Sequence, residues 1–333
     1  MKTTTSWMGL GRLAVGALAL ACAAPAWAQP EAAYPTKPVR LIVPLGAGGA
    51  PDVVTRLLSQ ILTEKNGPSF VVENRPGANT IIGTDTCAKA PPDGSTLCVV
   101  SGSSLSINPH LYRKLPYDAA KDFEAVTPLV VPDMVFLVSP ALPVNSMKEL
   151  LAHAQKHPGK LAYGSFGNGS DTHLTMEWLK RATKTDLLHV PFNGFGPMMQ
   201  AFLTGDIQVL YVSVGNPGIV AQAKAGKMRA LAVLAPTRSA QLPEVPTLTE
   251  AGVGDPGTFT WFGLMAPAGT PRGVVQKLNA QITAAMQTPA MREQNQTMAM
   301  RTRAQTPEEF AAFLKKDREV WGELVRQTGI QLD

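Results

Sequence analysis

The groups best placed to do chemistry in this chain are main-chain amides rather than reactive side chains. Leu45-Gly46-Ala47-Gly48-Gly49-Ala50 follows an apolar run (Val39, Leu41, Ile42, Val43), and Pro51 and Asp52 then open an amphipathic helix. Glycines let N–H groups approach a ligand closely, and a helix start adds unpaired donors and a positive dipole end. The combination suits an anion, most simply a carboxylate or a phosphate. An ordinary strand-to-helix turn explains this loop alone equally well; recurrence tips the balance. Gly164-Ser165-Phe166-Gly167-Asn168-Gly169-Ser170, followed by Asp171 and Thr172, mirrors it and offers a second anion cradle. Capping of the helix by Ser170 or Asp171 is the alternative there, since capping occurs with or without a ligand. If both cradles operate, a ligand with two acidic groups fits.

Four further strand-ending loops are rich in Gly, Ser, Thr or Asn. They are Arg75-Pro76-Gly77-Ala78-Asn79-Thr80, Ser101-Gly102-Ser103-Ser104, Pro191-Phe192-Asn193-Gly194 and Ser213-Val214-Gly215-Asn216. Ligands of open α/β sheets sit beyond the carboxyl ends of strands, so these loops predict a polar, uncharged cleft. Asp52 is favoured at a helix N-terminus whatever the function. His173 can donate to a ligand or serve in capping or packing, and His189 is expected to be satisfied internally. His110, His153 and His157 stand in exposed-looking polar contexts. Phe166, Phe192 and Trp261 are either cleft walls or core, and Met198-Met199 reads as core first.

Catalytic constellations are poor. The chain has no GxSxG, P-loop or HExxH motif and no Cys/His cluster with metal-ligand spacing. Pro51 stands where a dinucleotide loop needs its third glycine. No cofactor, metal or catalytic residue is expected.

The loops need strands to end and helices to begin. Apolar runs predict strands at 39–44, 70–73, 96–101, 134–139, 161–164, 187–190, 208–212, 230–234 and 262–266. Helices are predicted near 53–62, 82–89, 147–155, 172–181, 197–203 and 218–224. The alternation argues for α/β architecture with largely parallel sheets. From Pro271 onward only helices are predicted, the last with Thr306 as N-cap, Glu309 completing a capping box and a Phe310, Phe313, Leu314, Val320, Trp321, Leu324 stripe. About 300 residues exceed one compact core, so two lobes are expected. The final helices need the first lobe's sheet to cover, which makes the chain cross between lobes twice, near 132–140 and 257–266. The division is 34–137 plus 258–333 for one lobe and 138–257 for the other.

The N-terminus reads as a signal peptide, 1–28: Lys2 and Arg12, an apolar run at 13–24, and an Ala26-Trp27-Ala28 cleavage site with cutting after Ala28. A lipoprotein anchored at Cys22 ranks second, because Ala19 replaces the usual leucine. Removing the leader lowers the formal charge from +5 to +3. That excess is not clustered with aromatics, so no nucleic-acid partner is expected. Cys87 and Cys98 remain, close enough across the 91–94 turn to pair in an oxidising compartment or to stay as buried thiols.

The motifs VRLIVPLGAGGAPDVVTRLL, VVENRPGANTIIGTDTC, PGKLAYGSFGNGSDTHL, HVPFNGFGPMMQAFLTGDIQ, LPEVPTLTEAG and WFGLMAPAGTP resemble the Bug family. These are the TctC-like extracytoplasmic solute receptors of tripartite tricarboxylate transporters. The resemblance implies an α/β, periplasmic-binding-protein-like (type II) fold: two lobes, a hinge with two crossovers, and a cleft that closes on a small carboxylic acid. It implies a monomeric periplasmic protein whose partners are that acid and membrane transporter subunits. By resemblance the grip falls to Gly48, Gly49, Ala50, Asn168, Gly169 and Ser170. Asn79, Ser101, Ser103, His173 and Asn193 line the cleft further, and Leu45, Ala47, Asp52, Thr80, Gly167, Phe192 and Ser213 complete the candidate set. The opening loop departs from the family's usual PFPPGGGTD. Members that bind amino acids carry an aspartate after the strand matching 208–212, where this chain has Ser213-Val214, so a ligand without an amino group is expected. A periplasmic sensory receptor, and less readily a secreted enzyme acting on a carboxylic acid, are the competing readings.

Overall fold

Strand β1, Val39–Val43, is buried along its length except at Arg40, as an apolar run flanked by strands on both sides must be. In the computed structural model, which describes residues 34–332 together with Met1 and Thr3, β1 lies parallel to both β2 (Phe70–Asn74) and β3 (Thr96–Ser101). The signal peptide, its cleavage site and Cys22 fall outside the described residues. The chain divides into two units, Met1–Tyr34 and Pro35–Asp333, and every element named here belongs to the second.

With β4 (Phe123–Pro132), β10 (Phe262–Pro267) and β11 (Met300–Thr302), these strands make a six-stranded sheet ordered β11-β4-β10-β3-β1-β2. A five-stranded sheet, β7-β6-β8-β5-β9, holds β5 (Met134–Val138), β6 (Ala162–Ser165), β7 (Leu188–Pro191), β8 (Val209–Ser213) and β9 (Arg229–Leu234). The helices are α1 (Ala50–Asn66), α2 (Ile81–Ala88), α3 (Asn108–Leu111), α4 (Met147–Lys156), α5 (Asp171–Thr183), α6 (Phe195–Thr204), α7 (Ile219–Lys224), α8 (Arg272–Met286), α9 (Pro289–Thr297) and α10 (Pro307–Thr328), with a π-helical turn at Ser103–Ile107.

The chain leaves the first sheet at Pro132, enters the second at Met134, and returns between β9 and β10. Both sheets are mixed rather than largely parallel: β10 runs antiparallel to β3 and β4, and β5 runs antiparallel to β8 and β9. Strand β4 escaped the sequence reading because Pro128 and Pro132 lie in it, and proline cannot donate to a ladder. The sheet absorbs Pro128 at a register shift opposite Gly263. Strand β11 corrects the all-helical expectation after Pro271; three residues between two helices carry no readable period.

Strand β5 is buried on both faces: Met134, Phe136 and Val138 pack with Met147, Leu150 and Met176, while Val135 and Leu137 pack with Met198 and Phe202. In the first sheet Ile42, Cys98, Val100 and Met265 pack with Trp261, Phe310 and Leu314. Trp261 is therefore core, and Thr306 and Glu309 form the expected capping box of α10. Cys87 and Cys98 are disulfide-bonded, joining the last turn of α2 to β3.

Candidate ligand-binding site

Because β1, β2 and β3 are parallel, the loops that follow them, 44–49, 75–80 and the 102–107 turn, emerge at one edge of the first sheet. Strands β6, β7 and β8 are parallel too, so the loops at 166–170, 192–194 and 214–218 share one edge of the second. One contact shows the two edges meeting. Gly169 has a φ of 75°, and a Cβ there would run into Leu111, stand 2.8 Å from Leu332 Cδ1, and lie 3.5 Å from Asn79 Nδ2. Only glycine lets the second-sheet loop sit this close to Leu111 and Leu332 with that backbone, beside Asn79.

The opening loop is shaped by Asp52, 2 % exposed, whose carboxylate accepts from Gly48 N (2.9 Å), Arg56 Nε (3.0 Å) and Asn74 Nδ2 (2.9 Å). Burial would raise the Asp52 pKa, but these donors together hold it below its ordinary value. Asn74 Nδ2 also reaches Leu45 O, 3.1 Å away. The structure thus spends the Gly48 N–H, the Leu45 carbonyl and the Asp52 carboxylate on building the loop. The N–H groups of Ala47 and Ala50 have no partner among the described residues and remain as donors. Gly49 is the N-cap of α1.

The second loop satisfies most of its own donors, which the sequence does not reveal. Phe166 N donates to Thr172 Oγ1 (3.2 Å), Gly167 N to Ser165 Oγ (3.2 Å), Gly169 N to His173 Nδ1 (3.0 Å) and Ser170 N to Gly167 O (3.2 Å). Ser170 Oγ caps α5 by accepting from His173 N. The cradle expected from Gly167, Gly169 and Ser170 amides is therefore a self-bonded turn, with the Asn168 N–H left without a partner among the described residues. His173 is buried and stacks on His189, ring centroids 3.8 Å apart. Burial, with His189 beside it, pushes the His173 pKa down to about 4, so the ring is neutral at pH 7. Accepting at Nδ1 places its proton on Nε2, a donor suited to a carboxylate. His189 Nε2 is 2.6 Å from Ser165 Oγ, the internal partner expected of it.

At the first-sheet edge, Ala78, Asn79 and Thr80 take left-handed φ values of 46°, 48° and 72°. A β-branched residue there is strained, and such strain persists only where neighbours hold it. Asn108 does so, accepting from Asn79 Nδ2 and donating to Asn79 O, each at 2.8 Å; Ser104 Oγ donates to Thr80 Oγ1 at 3.1 Å. Ser101 Oγ lies 3.4 Å from Ser104 Oγ, and Ser103 is buried in the π-helical turn. Asn193 is exposed and Phe192 packs on the second-sheet core. Ser213 Oγ accepts from Gly215 N. Asn108 and Asn74 went unread because each acts through the loop it braces, whereas Ser104, part of the predicted 101–104 loop, braces Thr80. Among the described residues no group of three or more His, Cys, Asp or Glu is gathered to hold a metal ion.

Paired strand-end loops on two sheets, with backbone and neutral polar donors, define a solute-binding protein. The family model described as "Tripartite tricarboxylate transporter family receptor" matches residues 54–330. The chain is 33% identical over 301 residues to Protein BugT of Bordetella pertussis, covering 90% of this chain and 91% of that one. Two solved structures are similar across nearly their whole length. The first is R. palustris Rpa4515 with adipate (31% identity, TM-score 0.82, 90% of this chain and 99% of that one). The second is MatC from Rhodopseudomonas palustris with bound malate (29%, 0.78, 88% and 100%). The chain belongs to the tripartite tricarboxylate transporter family of receptors, the Bug or TctC-like solute-binding proteins, which are not enzymes.

Proposed function

We propose that the protein is a periplasmic receptor for a small organic acid without an amino group, a di- or tricarboxylate or an aromatic, nicotinate-like acid. It delivers that acid to a tripartite tricarboxylate transporter in the membrane. The observation that carries the reading is the state of the two carboxylates that open the helices after the paired loops. Asp52 is occupied by Gly48, Arg56 and Asn74, and Asp171 by Thr260 and Thr172. Neither is left to pair with an ammonium, whose burial without a partner is costly. Adipate and malate, named with the two similar structures, are acids of this kind. Each sheet forms the core of one lobe, hinged near Asp133 and the 258–261 segment. Ala47, Ala50, Asn168, His173 and the Asn79 turn contact the acid when the lobes close on it. The mature receptor starts at Gln29 after export and acts as a monomer.

The test is a thermal-shift panel on the purified mature protein. Adipate, malate, citrate and nicotinate are compared with aspartate and glutamate at equal concentration. At about 100 times its dissociation constant a ligand stabilises by about 2.7 kcal/mol, a shift of several degrees. The reading expects such a shift from at least one of the first group and none from the amino acids. Tight aspartate or glutamate binding would overturn it.

A further inference from the structure

Helix α5 begins with an aspartate that its capping does not require. Ser170 already serves as N-cap, and an exposed carboxylate at Asp171 would satisfy the helix dipole. Instead Asp171 turns inward. Its Oδ1 accepts from Thr172 N at 2.9 Å and its Oδ2 accepts from Thr260 Oγ1 at 2.5 Å. Burial holds its carboxyl above the ordinary range, against the pull of the Thr260 hydroxyl. Such short bonds to a carboxylate are among the stronger hydrogen bonds in proteins.

The partners belong to different halves. Helix α5 buries Met176 and Leu179 in the second-sheet core and packs Leu174 against Trp321, Leu324 and Val325 of α10, so the bond to Thr260 is the polar part of a contact between the halves. Thr260 immediately precedes Trp261, which is buried against Phe310 and Phe313 and donates Nε1–H to Asp317 of α10 at 2.9 Å, so Thr260 is fixed to the first sheet. Farther along α5, beyond the packing of Leu174 on α10, a cleft of about 200 Å³ lined by Trp178, Arg181, Leu324 and Gln327 opens between the two helices. The polar tie therefore sits at the end of α5 that carries the ligand loop.

We infer that the Asp171–Thr260 bond is a latch that sets the second-sheet ligand loop in register with the first-sheet half, making Asp171 and Thr260 positioning residues for solute capture. The inference rests on the receptor reading for its purpose, but the latch exists whether or not an acid is bound. Because Thr260 lies in the hinge segment, rotation of one half about the hinge strains this bond, and Ser170 and His173 move with Asp171.

Spin labels at Lys65→Cys on α1 and Lys156→Cys on α4, both exposed, report the distance between halves in acid-free protein. Thr260→Val is expected to lengthen and broaden that distance, Asp171→Ala to do the same, and Thr260→Ser to match the parent. The double variant should be no worse than either single one, as directly coupled residues require. Should Thr260→Val fail to fold, Asp171→Ala and Thr260→Ser carry the same contrast. Adipate titration supplies the second arm: about tenfold weaker binding for Thr260→Val, restored in Thr260→Ser. Unchanged distances in Thr260→Val and Asp171→Ala would overturn the latch. A parent protein that binds no acid of the panel would instead defeat the receptor reading, with the distances still deciding the latch.

Discussion

Gly169 and His173 show how much a single hydrogen bond settles at the scale of residues. Burial, with His189 beside it, keeps the imidazole neutral, and by donating to Nδ1 the glycine amide fixes its tautomer, so a proton at Nδ1 must break the loop. The native ring resists protonation down to about pH 4, whereas an unfolded histidine is protonated near 6.5. Between those values the unfolded chain binds more protons, so stability is fully present above pH 6.5 and falls as pH drops towards 4. Burial depresses His189 as well and adds with the same sign. Melting temperatures from pH 7.5 to 4 should decline accordingly, and His173→Gln should flatten the decline; an equally steep profile in that variant would count against the assignment. The sequence marked His173 as a donor or a cap, and His189 as internally satisfied. The ring stack that couples them joins residues from α5 and β7, which only the packed sheet brings together.

At the scale of elements, the site depends on how firmly its loops are anchored. The disulfide joins α2, which starts at the strained Ala78-Asn79-Thr80 turn, to β3, which ends at Ser101. With a sequence separation of 11, closing that loop is worth about 3 kcal/mol in the chain-entropy account. Urea unfolding with and without reductant should show a loss of that order, measured as a lowered midpoint; coincident curves would mean that the cysteines are not bridged. Most elements were legible because their apolar periods are strong, and α10 announced itself by its capping box. The left-handed turn was not, since alanine and threonine carry no local preference for positive φ, and it is Asn108 and Ser104, from a different segment, that impose it.

At the scale of the whole molecule, the two crossings are where capture and closure meet. Asp133, between the sheets, donates its N–H to Ala299 O and accepts from Val214 N, each at 2.9 Å, so the first crossing is stitched to both halves. Next to Val214, Gly215 lies so close to α9's end that a Cβ would overlap the Met298 carbonyl oxygen. Its φ is not in the left-handed region, so alanine there tests the contact alone. Gly215→Ala should cost about 1–3 kcal/mol, read as a lowered melting temperature, and should increase the radius of gyration in X-ray scattering. An unchanged radius would show that the halves do not bear on each other at this point.

What the sequence determined by itself was most of the strands and helices, though not β4 or β11, the gathering of glycine- and serine-rich loops at strand ends, and membership of a receptor family, because local periods and motifs are written in contiguous residues. What the tertiary structure alone decided was which donors are spent and which remain. Asp52 takes the Gly48 amide and Asn74 the Leu45 carbonyl, the 165–173 turn consumes most of its own amides, and Thr260 reaches Asp171 across 89 positions of chain. A hydrogen-bond partner is chosen by proximity in space, and no spacing rule in one dimension encodes it.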